Sequence, residues 1–427
     1  MDIFNLDISI ILILQSLLLL ATTTITGYLA ALSILALLSR KQKLFQSNNF
    51  QRFAVFIPSH NEALSIERTI KSIKEIDYPR ENFDIVTIAD NCNDDTASIA
   101  RAAGSIVLER IDSAQRGKGF ALRWGFDEVL PDSKYDAVVV VDADSIVSKN
   151  FLKVMNYYLE GGAQALQSSD LVEPQAGVWS IEATRIGFIL YNYVRPMGRR
   201  VFGGHAGAKG NGMCFSTKAL KEVPWTAFSL SEDLEYGLSL LIHGIPVKFA
   251  PEAEVLATMP SSAKNAESQR SRWEKGRLPI VRKYLPQLFR QLMKTGRFYF
   301  VDAILDLLIP PFVNLMTFCI IMAGLSFFFF LAGNEAMFLF FAAWLFVVTL
   351  GLLHVIIGFI AYGNLLLLVR GVGHLPRFVL WKLQVYTRML REEQTGEWIR
   401  TTRETPLPSD EKHKGTTKNL PKPKRSL

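Results

Sequence analysis

Cysteine is scarce in this 427-residue chain: Cys92, Cys214 and Cys319 stand far apart, with no CxxC spacing and no even number to pair. That excludes a disulfide-stapled secreted scaffold and a zinc knuckle, and it suits a reducing compartment. Charge is missing from residues 8–38, ISIILILQSLLLLATTTITGYLAALSILALL, a run longer than the roughly 20 apolar residues that span a bilayer. Basic residues are missing ahead of that run, where Asp2 and Asp7 stand in place of the Lys or Arg of a secretory leader. A retained anchor is therefore expected, not a cleaved signal. Internal repeats are also lacking, which argues against a transporter built from repeated halves.

What is present begins with 49% hydrophobic residues against 20% charged, a balance that sets the chain apart from ordinary soluble enzymes. The net charge of +7 lies largely near membrane ends and in the terminal KPKRSL; anionic lipid is its simplest partner, and no nucleic acid is expected. Arg40, Lys41 and Lys43 follow the first apolar run, so the positive-inside rule sends its C-terminal end to the cytoplasm. After Arg297, FYFVDAILDLLI (298–309) carries Asp302 and Asp306 and stops at two prolines, as an amphipathic interfacial helix would. Residues 312–332 and 336–362 read as a transmembrane hairpin with Arg370, Arg377 and Lys382 beyond it. His354 in the last span reads as a helix-packing residue, not a ligand. The organisation is thus an N-terminal anchor (1–47), a cytoplasmic domain (48–295), an interfacial helix and hairpin (296–371), and a juxtamembrane segment with a disordered basic tail (372–427).

Inside the cytoplasmic domain, FAVFIPS (53–59), DIVTIAD (84–90), SIVLERI (105–111) and AVVVVDA (137–143) alternate with helix-like segments. That pattern predicts an α/β domain with a largely parallel sheet, whose ligands gather beyond the carboxyl ends of the strands. Polar residues cluster at those ends: Pro58, His60 and Glu62 after the first strand, Asp90 to Asp95 after the second, Asp142 and Asp144 after the valines. A D-x-D pair suits a hard divalent cation held together with substrate phosphates, and the other two clusters suit a base or ribose. Asp94 or Asp95 instead reads as a helix cap. Lys118, between two glycines at a helix start, is placed to approach phosphate. Glu232 and Asp233 open an apolar-periodic segment, where the helix dipole favours acids in any case. Gln269-Arg270-Ser271-Arg272-Trp273 supplies guanidinium forks for pyrophosphate and a flat indole face for a sugar.

DAD at 142–144, SED at 231–233 and QRSRW at 269–273, in that order in one cytoplasmic domain between membrane segments, resemble the family 2 membrane glycosyltransferases, which include cellulose, chitin and hyaluronan synthases and ceramide glucosyltransferase. The resemblance covers about residues 50–280. It implies a GT-A fold, a Rossmann-like mixed sheet for nucleotide-diphospho-sugars, with a UDP-sugar donor, Mg²⁺ or Mn²⁺, and inversion at the anomeric carbon. Carried over by position, Asp90 and Asp142 would contact the uridine, Asp144 the metal with Asp142 beside it, and Arg272 the pyrophosphate; Pro58, His60, Glu62 and Lys118 join them at the donor by the strand-end and helix-start reading above. Asp233 would be the general base, and Glu232, Gln269 and Trp273 would meet the acceptor. Residues 203–215, GGHAGAKGNGMCF, fall where the family places a loop beneath the sugars.

The resulting expectation is a multi-pass enzyme of the cell (inner) membrane that moves a hexose or N-acetylhexosamine to a polysaccharide or lipid-linked acceptor. Three spans are too few for a wide pore, so polymer export would need a homo-oligomer or a membrane partner subunit. The rival reading is a membrane transporter or receptor with a nucleotide-sensing cytoplasmic domain.

Overall fold

The computed structural model describes residues 3–39, 42, 49–131, 134–175, 178–260, 263–374 and 376–381. Arg40, Lys41, Lys43, Lys382 and the basic tail, expected to be disordered, lie outside the described residues. In chain order the strands are β1 (Phe53–Ser59), β2 (Phe83–Asp90), β3 (Ile106–Arg110), β4 (Ala137–Val140), β5 (Ser145–Val147), β6 (Ala165–Val172), β7 (Met213–Ser216) and β8 (Lys248–Ala257). They form one sheet in the order β3-β2-β1-β4-β7-β6-β8-β5.

The parallel sheet expected from the sequence is its first half, where β1 pairs in parallel with β2 and β4, and β2 with β3. Valines 138 to 140 are fully buried, as strands covered on both faces require. The cover comes from α2 (Ile66–Lys74), α3 (Thr96–Ala102), α4 (Lys118–Val129) and α5 (Phe151–Glu160). In α2 the buried Ile66, Ile70 and Ile73 recur at helical spacing, giving one apolar face to one side of the sheet. Leu122 and Phe126 of α4 do the same on the other. The second half is mixed: β7 runs antiparallel to β4 and β6, β5 antiparallel to β8, and β6 parallel to β8. The domain is α/β with a GT-A-like mixed sheet.

A helical rod leads from the sheet to the membrane region: α6 (Trp179–Phe188), a π-helical turn (Ile189–Val194) and α7 (Arg195–Arg200). Then come α8 (Thr217–Glu222), α9 (Glu232–Ile242), the long α10 (Ala263–Thr295), α11 (Phe298–Leu308), α12 (Phe312–Leu331), α13 (Ala336–Tyr362) and α14 (Leu365–Val372). With α1 (Ile3–Leu38), three helices are long and apolar enough to cross a membrane: Leu12–Leu38, Phe312–Leu331 and Ala336–Tyr362. α1 packs on α13 and α7, and α12 on α13. His354 is a packing residue as expected, its Nδ1 2.7 Å from the Ser33 hydroxyl of α1.

One expectation changes. Asp302 and Asp306 were read as the polar face of an interfacial helix, yet both point into the protein, where Arg199 of α7 pairs with each. Asp302 is fully buried. The outward residues of α11 include Phe298 and Leu308, so the acids tie α11 to α7 and leave apolar side chains outside. Leu238 and Leu241 of α9, Ile280 and Leu288 of α10 and Phe300, Ile304 and Leu307 of α11 share one apolar cluster, which joins these three helices.

Candidate active site

The valine strand β4 stops at Val140, and the chain turns so that Asp142 and Asp144 stand beyond its carboxyl end. Asn211, on the glycine-rich approach to β7, holds that turn. Its carbonyl oxygen accepts the Asp142 backbone N–H at 3.0 Å, while its amide donates to the Ser145 hydroxyl at 2.9 Å and the Asp170 carboxylate at 3.2 Å. The antiparallel pairing of β4 with β7 is what brings this loop to the acids.

Lys118, the first residue of α4, reaches into the same corner. Its ammonium lies 2.5 Å from Asp142 Oδ1, 2.5 Å from the Gly210 carbonyl and 3.9 Å from Glu232. Burial lowers its pKa, but the carboxylates of Asp142 and Glu232 outweigh that and raise it. Gly119 next to it admits no side chain: a Cβ there would lie 2.2 Å from the Ala227 carbonyl oxygen. This close approach seats the start of α4 against the segment that leads into α9.

Glu232 and Asp233 form the first turn of α9. Burial raises the pKa of both, reinforced for Glu232 by the neighbouring Asp233 and opposed for Asp233 by the Leu234 N–H and by Lys118 and Lys209. A buried carboxyl whose proton affinity is raised is a stronger proton acceptor than a solvated one. The helix dipole that explains acids at this position does not by itself explain their partial burial. Gly210 has φ +85°, and a Cβ on it would meet Asp233 Oδ2 at 3.1 Å, so this loop and the Asp233 carboxylate are in direct contact.

At the β2 end, Asp90 is buried and paired with Arg110 at 2.7 Å. Burial raises its pKa in spite of that partner. His60 Nδ1 lies 2.7 Å from the Asp90 carbonyl oxygen, and Asn61 and Asn91, both with positive φ, turn the two strand ends outward. Asp94 accepts the Thr96 N–H at 3.0 Å and closes the start of α3, the structural role expected for Asp94 or Asp95. The Asp95 side chain makes no cap bond.

These groups line one cleft of about 2300 Å³. Pro58, His60, Glu62, Asp90 and Lys118 face it near the sheet, with Asp142, Asp144 and Asp170, then Glu232 and Asp233, and Gln269 and Arg272 from α10. Twelve site residues were expected from the sequence; the side chain of Trp273 lies outside the described residues, and the cleft gathers the remaining eleven. The cleft does not end there. It continues past Tyr191 and Arg195 to Phe312, Met316 and Ile320 of α12, Leu352 and Val355 of α13 and Leu368 of α14.

The donor set fits a hard cation. Asp142 and Asp144 offer carboxylate oxygens at the cleft surface, and no trio of His, Cys, Asp or Glu gathers around a point among the described residues. Two carboxylates with the remaining positions left to substrate phosphates is the usual Mg²⁺ arrangement.

Sequence reading missed three residues. Arg110 sits at the end of β3, Asn211 in the glycine loop, and Asp170 in β6, where the buried run Gln167-Ser168-Ser169-Asp170 interrupts the apolar pattern of a strand. Asp170 bonds to Asn192 as well as Asn211, and burial together with the charge of Asp142 raises its pKa strongly. Four consecutive polar residues between apolar strand ends were the available signal.

Comparison with known proteins adds five findings. The family described as "Glycosyltransferase like family 2" matches residues 51–276. The chain is 27% identical over 252 residues to the probable glycosyltransferase YdaM of Bacillus subtilis (strain 168), covering 56% of this chain and 58% of that protein. It is 26% identical over 234 residues to the β-monoglucosyldiacylglycerol synthase of Synechocystis sp. (strain ATCC 27184 / PCC 6803 / Kazusa), covering 53% and 48%. With the cellulose synthase catalytic subunit of Xanthomonas axonopodis pv. citri (strain 306) it shares 27% over 267 residues, covering 59% and 35%. The matched region is thus about half the length of these relatives or less. Among solved structures, the mannosyltransferase PcManGT of Pyrobaculum calidifontis, in complex with GDP-Man and Mn²⁺, superposes with a TM-score of 0.50 at 16% identity, over 81% of this chain and 98% of that one. At that identity the likeness is one of fold.

Proposed function

Because the chain belongs to the glycosyltransferase-like family 2, we propose that it is an inverting transferase at the cytoplasmic membrane face that moves a hexose or N-acetylhexosamine from a UDP-sugar to a lipid-borne acceptor hydroxyl. One observation carries the choice of acceptor: the cleft that holds the D-x-D acids and Asp233 runs on between the apolar side chains of α12, α13 and α14. An acyl or prenyl chain seated there would keep its apolar surface out of water while its polar head reaches Asp233.

Asp233 takes the proton from the acceptor hydroxyl as that oxygen attacks the anomeric carbon, and the bond to the nucleoside diphosphate breaks on the opposite side. Positioned general-base catalysis of this kind contributes on the order of 10² to 10⁴ in rate. Asp90, braced by Arg110, and His60 bind and orient the nucleoside, while Arg272 faces the leaving diphosphate as a preorganised cation. Asp142 and Asp144 would hold Mg²⁺ or Mn²⁺, which when bound supplies positive charge for the leaving group. Glu232 and Gln269 border the acceptor side, and Trp273 is proposed to join them.

The test is product analysis after membranes carrying the protein receive, in turn, UDP-glucose, UDP-N-acetylglucosamine and UDP-galactose labelled in the sugar. A single organic-soluble product with one added sugar supports the reading. A water-soluble ladder would replace it with polymer synthesis, and nucleotide release without any glycosylated product would favour a hydrolase or a nucleotide-sensing transporter.

A further inference from the structure

The cleft holds a second charged cluster between Asp233 and the apolar membrane end, built from residues far apart in sequence. Arg195 opens α7 directly after the π-helical turn, Lys209 lies in the glycine loop, Arg277 on α10, and all three line the cleft. Behind them, out of the cleft lining, are Arg199, Asp302 and Asp306. Arg199 is saturated there: its Nε lies 3.1 Å from Asp302 Oδ1 and its Nη2 pairs with Asp306.

The three cations in front are only partly neutralised. Arg195 is 4% exposed and forms one long ion pair, 3.7 Å to Asp306, which Arg199 also holds, and its Nε has no hydrogen-bond acceptor among the described residues. The Lys209 ammonium lies over the Tyr191 ring, 3.7 Å from its centroid, and has no ion-pair partner among the described residues. Among the described residues Arg277 donates to the Asp306 and Leu307 carbonyls, at 2.7 and 3.1 Å. Among the described residues, Arg195, Arg199, Lys209 and Arg277 meet Asp302 and Asp306, with Asp233 next to Lys209, four positive charges against three. Arg195 is buried and Lys209 and Arg277 are half-buried; charge in excess of its partners in such a place is costly, and a forked guanidinium beside an ammonium is a common solution for phosphate.

Tyr191, which shares the π-helical turn that ends at Arg195, borders the same space. Such turns concentrate at functional positions. Lys209 also lies close enough to Asp233 to lower its pKa, so an anion held by the cluster would sit next to the reacting hydroxyl.

We propose that Arg195, Lys209 and Arg277 bind the phosphate of the acceptor lipid, which presents a neighbouring headgroup hydroxyl to Asp233 while its hydrocarbon lies among α12, α13 and α14. The acceptor class is therefore an anionic phospholipid or a prenyl-phosphate-linked sugar, not a neutral glyceride or a ceramide. This rests on the lipid-acceptor reading above and narrows it. The proton passes from the headgroup hydroxyl to Asp233, the hydroxyl oxygen forms the new glycosidic bond, and the nucleoside diphosphate leaves with the electrons of the old one; the lipid phosphate is unchanged.

The experiment uses the full-length protein in its membranes with the sugar-labelled UDP-sugar that gives product. The labelled lipid is passed over an anion exchanger at neutral pH, and its phosphorus is measured against its label. The expected product is retained and carries at least one phosphate per added sugar. Arg277→Gln should then raise the KM for the isolated acceptor by about ten-fold or more, the loss of one charge-assisted contact, with the donor KM within about two-fold and Arg277→Lys partly restoring the acceptor KM. A neutral, phosphate-free lipid product overturns this proposal and leaves the lipid-acceptor reading standing. A water-soluble polymer overturns both, and a phosphate-bearing product whose acceptor KM ignores Arg277→Gln overturns the assignment to this cluster.

Discussion

The two ends of the cleft carry opposite charge. Toward the sheet, Asp142, Asp170, Glu232 and Asp233 gather around the ammonium of Lys118, with Asp144 beside them in the cleft; toward the membrane, Arg195, Lys209 and Arg277 line the cleft, with Asp302 and Asp306 outside its lining. On the proposed reading each end meets a partner of the other sign, a cation with its diphosphate on one side and an anionic lipid head on the other. Asp233 lies at the boundary, where both Lys118 and Lys209 act on it. What the contrast teaches is that excess charge of one sign in an enclosed cleft, more than any motif, indicates which ligand a region is built to meet.

The comparison is broken most severely at the boundary residue. Asp233→Asn should lower transfer by about 10² to 10⁴ with donor affinity retained, measured as labelled lipid formed and as UDP-sugar binding to the purified protein. Near-normal turnover would remove Asp233 from its role. Next, Asp144→Ala should weaken metal-dependent donor binding by about ten-fold or more and leave the acceptor KM nearly unchanged, the mirror image of Arg277→Gln. If both substitutions moved the same constant, the two ends would not be separate sites.

Gly210→Ala tests the seam between them. It places a methyl 3.1 Å from the Asp233 carboxylate at a φ of +85°, with about 1–3 kcal/mol of backbone strain. A kcat lowered more than either KM is expected from steady-state rates; unchanged kcat would mean the loop is not held against the base. The smallest effect is on pH dependence. As the proposed base Asp233 must be ionised to accept a proton, and burial raises its pKa, so activity should be lost on acidification from a higher pH than for an ordinary aspartate, near 3.9. The acid limb of kcat/KM should lie above that value, and a limb at or below it would contradict the burial argument.

The sheet end was largely legible in the sequence, and the membrane end was not. Strands β1 to β4 follow from β-branched runs, and DAD, SED and QRSRW stand out as short groups whose spacing survives translation into geometry. β6 escaped because its centre is Gln-Ser-Ser-Asp, buried by hydrogen bonds that no apolar pattern reveals. Asp302 and Asp306 misled for a physical reason: an acid at helical spacing looks alike whether it faces headgroups or a buried arginine, and Arg199 lies a hundred residues earlier. Arg195, Lys209 and Arg277 are unremarkable singly, and only the packing of α7, the glycine loop and α10 makes them one charge. That cluster is a property of tertiary structure.

A structure of the protein in nanodiscs with UDP and Mn²⁺ tests the central claim most directly. The account predicts the diphosphate between Asp144 and Arg272, and a lipid whose chain lies among α12, α13 and α14 with its head within hydrogen-bond reach of Asp233. A nucleotide seated away from Asp144, or a cleft closed to lipid between the sheet and those helices, would contradict it.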